Sequence, residues 1–181
     1  MQEAVSPLRT IVGYGTRAYH RGNLATGPPM SAQRTQILGR RILIVDDEAS
    51  IRLICRINLA ASGWTCDEAD NGEEAVERIR KERPDVVLLD VMMPVRDGWL
   101  VAEDIAGDPT ISDLPIVFLT ARTEERDRAR AHSLGAVGYM TKPLNPVGLS
   151  AAIDEILRRI ERGEREQVRA DLLTGQTSEH G

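Results

Sequence analysis

The runs ILIV, VVLL and IVFL, each followed by a polar residue, constrain this chain more than any other feature. A strand with one wet face alternates apolar and polar side chains, whereas an unbroken apolar run needs cover on both faces. Between the runs lie segments with helical periodicity, and regular alternation of the two implies a parallel sheet with helices on both sides. Aromatic residues make up 3% of the 181 residues, so such a core must be built from Val, Ile, Leu and Ala.

The pattern predicts five strand–helix units. Strands are expected at Arg41–Val45, Trp64–Ala69, Asp85–Leu89, Pro115–Leu119 and Val137–Met140. Helices are expected at Glu48–Ala61, Gly72–Glu82, Gly98–Ala106, Glu124–Leu134 (with Thr123 as N-cap) and from Pro146 to Arg162. Residues 1–38 carry several Gly and Pro and no sustained periodicity, and read as a disordered extension in which Met30 is an alternative start. Residues 39–163 form the folded domain. Residues 164–181 read as a helical extension, with Val168, Leu172 and Leu173 at helical spacing, or as a flexible tail.

Chemistry collects just after the strands. Asp46, Asp47 and Glu48 follow the first, Asp90 the third, Thr120 the fourth, and Thr141, Lys142 and Pro143 the fifth. In an open parallel sheet the carboxyl ends of the strands share one edge, where ligands bind. Each residue alone has an ordinary explanation: Asp47 as a helix cap, Asp90 as a turn residue, Lys142 as a solvated lysine. Together they place three carboxylates, a hydroxyl and an ammonium at one crevice. Carboxylates so arranged repel one another unless a cation joins them, and oxygen ligands of this kind suit Mg²⁺.

The segments ILIVDDE, PDVVLLDVMMPVRDGW, LPIVFLTA and GAVGYMTKP resemble, in order and spacing, the receiver domain of two-component response regulators. The resemblance runs from about Arg41 to Arg162. It implies a doubly wound α/β fold, flavodoxin-like (CheY-like), with five parallel strands in the order 2-1-3-4-5. It implies Asp90 as phosphoacceptor, with Asp46, Asp47, Asp90 and the backbone carbonyl of Met92 at Mg²⁺. It further implies Thr120 and Lys142 as phosphoryl-binding groups, Thr120 and Tyr139 as a switch pair, and a cis Lys142–Pro143 bond. Met92 and Arg122 would flank the water that removes the phosphoryl group. A sensor histidine kinase or histidine phosphotransfer protein would be the donor. The output would pass through the helix 4–strand 5–helix 5 face to a protein target, with a homodimer allowed; phosphorylation would draw Thr120 inward and turn Tyr139 after it.

Other classes fit less well. A dehalogenase-type phosphatase needs a second Asp two residues after Asp90, where this chain has Met92. A nucleotide or flavin binder wants a Gly-rich loop where DDEAS stands. A receiver-shaped scaffold that binds partners without phosphorylation is the alternative from another class. Net charge is −5, with +3 on residues 1–39 and so −8 on the rest, which argues against nucleic-acid binding by bulk charge. No apolar run reaches the ~18 residues of a membrane span. Arg-rich residues 1–38 lack the amphipathic helix of a transit peptide. Cys55 and Cys66, without metal-ligand spacing, read as reduced structural thiols of a cytoplasmic protein. Only 19 residues follow Arg162, too few for a DNA-binding domain, so the expectation is a stand-alone receiver, not a turnover enzyme.

Overall fold

The computed structural model describes residues 39–174 apart from 122, 123 and 144. The expected disorder of residues 1–38, the Met30 start, the Thr123 cap and the end of the tail lie outside the described residues.

Five parallel strands, β1 (Arg41–Val45), β2 (Thr65–Ala69), β3 (Val86–Asp90), β4 (Ile116–Thr120) and β5 (Gly138–Thr141), form one sheet in the order β2-β1-β3-β4-β5. Helices α1 (Ala49–Ala61), α2 (Gly72–Lys81), α3 (Gly98–Gly107), α4 (Glu125–Ser133) and α5 (Pro146–Glu161) cover it, and α6 (Arg165–Thr174) follows. This is the flavodoxin-like arrangement that the resemblance implies, with the cover on both faces that the apolar runs require.

The unbroken runs behave as double-sided burial requires. Every residue of β3 and β4 is buried. Alternate residues feed two cores: Leu43, Val45, Val87, Leu89 and Phe118 on one face, and Ile42, Ile44, Val86, Leu88, Val117 and Leu119 on the other. The least apolar run, β2, lies at a sheet edge, where most of its residues are only half buried.

Helix starts refine the sequence reading. Asn71, Asp97 and Asn145 cap α2, α3 and α5 by accepting backbone N–H bonds. Asp47 does not cap α1: Glu48 holds the N-cap position without a side-chain bond, and it is Asp46 Oδ1 that accepts from Glu48 N at 2.9 Å. Helix α4 begins at Glu125, with Glu124 at the N-cap position and no side-chain cap bond. Four expected strands shift by one residue: β2 starts at Thr65 rather than Trp64, and β3, β4 and β5 each move one residue on, so that Asp85 leaves β3, its carboxylate instead accepting from Arg41 N, and Asp90, Thr120 and Thr141 are the last residues of their strands.

Candidate metal and phosphoryl site

Parallel register brings the strand ends together. β1 lies between β2 and β3, and β4 pairs Asp90 with Leu119 on one side and Thr120 with Thr141 on the other. The residues just past β1 and at the ends of β3, β4 and β5 therefore open onto one edge. Asp46 and Asp90 are almost fully buried there, Thr120 is fully buried, and Asp47 is exposed.

Lys142 reaches back across this edge. Its Nζ donates to Asp90 Oδ2 at 2.9 Å, lies 2.7 Å from Asp46 Oδ2 and stands 3.8 Å from Glu48 Oε1. The Lys142–Pro143 bond is cis, as the resemblance implies, and Lys142 N donates to Thr120 O at 2.8 Å. Asp90 Oδ1 accepts from Met92 N at 3.1 Å. Burial pushes the Asp46 carboxyl above the ordinary carboxylate range, against the pull of Lys142 and the Glu48 N–H. Burial alone would lower the Lys142 ammonium, but Asp46 and Asp90 outweigh it and hold it above its usual value.

Carboxylate oxygens of Asp46, Asp47 and Asp90 lie within 4.8 Å of one another, close enough to share one cation. Asp46 Oδ2 is buried, and the Lys142 ammonium meets it as an ion pair at 2.7 Å. A buried oxygen of this kind, beside two further carboxylates, fits a hard divalent ion such as Mg²⁺.

Three contributors were not legible as site residues. Arg52 Nη1 donates to the carbonyls of Asp46 (2.7 Å) and Asp47 (3.2 Å), and its Nε pairs with Glu68, so it pins the acidic loop from α1. Gly98 lets α3 start directly against the end of β3: a Cβ there would meet Asp90 O at 2.1 Å. Val95 has φ +67 and Arg96 N bonds Pro94 O at 2.7 Å across it, a γ-type turn that is rare for a β-branched residue. The Gly within RDGW was the available signal for the second; nothing local marked the others.

Tyr139 departs from expectation. It is already 2% exposed, packed 6.3 Å from the Phe118 ring, with the Arg128 guanidinium 5.4 Å above it. Arg122 lies outside the described residues, and Met92 is exposed beside the site. Burial pushes the thiols of Cys55 and Cys66 up to about 12 and about 11, which keeps both protonated and unreactive.

The fold and the acidic edge define a receiver, and the comparisons agree. Residues 42–154 match the response regulator receiver domain family, and the chain belongs to that family. It is 45% identical over 122 residues to a Guillardia theta protein named "Probable transcriptional regulator ycf27", covering 67% of this chain and 47% of that one. It is 39% identical over 140 residues to the alkaline phosphatase synthesis transcriptional regulatory protein PhoP of Bacillus subtilis, covering 77% of this chain and 58% of that one. The chain thus spans about half the length of the curated relatives it matches. Among solved structures, chemotaxis protein CheY4 of Vibrio cholerae superposes with a TM-score of 0.62 at 31% identity, over 65% of this chain and 98% of that one. A receiver domain of this family is a signalling module and not itself an enzyme turning over an external substrate. Among the described residues, no helix is long and apolar enough to cross a membrane.

Proposed function

We propose that Asp90 takes a phosphoryl group from the phosphohistidine of a sensor kinase or phosphotransfer protein, and that the chain signals by phosphorylation-dependent protein contact in the cytoplasm. The observation that carries this reading is the Asp90 carboxylate, buried at a strand end and held by Met92 N–H and Lys142 Nζ beside two further acids. An Asp90 oxygen attacks phosphorus, the P–N bond breaks, the imidazole leaves, and an aspartyl phosphate forms. Such transfers depend on positioning and charge neutralisation more than on covalent help.

Each neighbouring group has a part in this. Met92 N–H fixes one Asp90 oxygen. Lys142, already at Asp90, moves onto a phosphoryl oxygen as a point charge, and the Thr120 hydroxyl binds another. Asp46, Asp47, Asp90 and the Met92 carbonyl would hold Mg²⁺, which when bound supplies a template and Lewis acid. The Met92 side chain and Arg122 would set the rate of hydrolysis by screening the attacking water. Thr120 and Tyr139 form the switch pair; with the ring already inside, phosphorylation shifts the population toward an arrangement that the fold already adopts.

Intact-mass measurement after treatment with acetyl phosphate and Mg²⁺ tests this. The wild type is expected to gain one phosphoryl group, and Asp90→Asn none. Undiminished stable labelling of that variant would falsify the assignment. A wild type that never labels would favour the phosphorylation-independent scaffold.

A further inference from the structure

The face expected to carry output is not open. Helix α6 lies on it, packed against α4, α5 and β5. Among the described strands β5 pairs with β4 alone, so its other edge needs cover, and α6 supplies it. Val168 and Leu172, one turn apart, are fully buried. Leu172 joins the apolar cluster containing Tyr139 and Ala131, while Val168 joins the cluster on the opposite sheet face, with Val137 and Ile153. The helix therefore straddles the sheet edge.

Polar contacts fix its seat. Arg169 Nη2 donates to the His132 carbonyl at the end of α4 at 3.1 Å. Arg159 of α5 pairs with Asp171 at 2.7 Å, and Arg165 Nη1 donates to Asp113 O at 2.9 Å. Gly163, at φ +82, turns the chain from α5 into α6, a conformation that glycine adopts without strain. The docked helix has only two fully buried side chains, contributes no strand, and supplies none of the site residues.

We infer that α6 is a tethered, displaceable occupant of the α4–β5–α5 face, and that a partner reading this face presents an amphipathic helix of the same pattern. That pattern is two aliphatic side chains one turn apart with a guanidinium beside them, the features α6 itself uses. Helix-in-groove recognition works through such anchors. Its place in signalling rests on the phosphoacceptor reading above: Tyr139 and Leu172 belong to one apolar cluster, so a shift at Tyr139 alters how firmly α6 sits.

Two measurements on the full chain, without phosphodonor, test the occupancy. Hydrogen exchange should show α6 amides opening locally, with protection at least about 100-fold below that of β4. Equal protection would mean that α6 opens only when the whole domain unfolds, and would overturn the inference. A fluorescent peptide of residues 163–175 should bind the Val168→Asp/Leu172→Asp variant at least about ten-fold more tightly than the wild type, because the tethered competitor is gone. Equal binding to both, or none to the folded variant, would also overturn it. Should the double variant fail to fold, wild-type exchange decides. Neither arm depends on Asp90 labelling, so failure of the phosphoacceptor reading and failure of this one remain distinct.

Discussion

Gly98 shows how one missing methyl group can hold a site together. It follows the capping Asp97, and its backbone lies so close to β3 that an added Cβ would come within 2.1 Å of Asp90 O and 2.9 Å of Asp90 C. Neither atom can give way, because Asp90 is the last residue of a fully buried strand. Gly98→Ala must therefore push α3 off the end of β3. We expect a loss on the order of 1–3 kcal/mol, typical of overpacking a tight site. Urea unfolding would measure it, and slower labelling by acetyl phosphate should accompany it because Trp99 and the Asp90 carbonyl shift together. An unchanged midpoint would mean that α3 has more slack at its start than the contact distances allow.

At the scale of elements, α5 carries a buried acid that the site does not use. Asp154 is 7% exposed, Ser150 Oγ is 3.4 Å from its Oδ2, and its buried Oδ1 has no hydrogen bond among the described residues. Burial raises this carboxyl above its ordinary value, outweighing Arg40, Arg158 and Ser150. A carboxyl raised on folding favours the folded state below its unfolded pKa of about 3.9, and that advantage is lost as pH rises through the folded value. At neutral pH the charged form is a burden. Asp154→Asn should thus melt a few degrees higher near pH 7, with the gap closing as the pH falls toward about 4. Melts across that range would check it, and a variant less stable at every pH would refute it. Asp154 also marks what sequence reading misses. The apolar runs made β1, β3 and β4 legible to within a residue, because double-sided burial leaves a composition signal, whereas β2 and β5 were placed mainly by the alternation with helices. The strand-end residues Asp46, Asp90, Thr120 and Lys142 were legible as a group because topology alone brings them to one edge. Arg52 was not, since its use depends on which carbonyls α1 passes, and neither was the seat of α6, since Val168 and Leu172 show helical spacing without showing what they pack on.

On the scale of the whole molecule, the acidic edge should link ion binding to folding. Three carboxylates share a space under 4.8 Å across with one ammonium among them, and the chain beyond residue 39 carries −8. The unfolded chain disperses these acids, so a cation that needs them together binds the folded state and stabilises it by mass action. At a concentration 100 times its dissociation constant the gain is about 2.7 kcal/mol, enough to raise Tm by several degrees in a domain of this size. Asp47 is the acid to remove, because it is exposed and its loss opens no cavity. Without Mg²⁺, Asp47→Ala should melt at or slightly above the wild type, since one source of carboxylate repulsion is gone. With Mg²⁺ it should lose most of the wild-type gain, and EDTA should return the wild type to its metal-free value. Asp154→Asn, away from this cluster, should keep the full gain and serve as control. Calorimetric melts across a Mg²⁺ series separate the outcomes. A wild-type Tm indifferent to Mg²⁺, or an equal rise in Asp47→Ala, would show that these acids do not form a cation site.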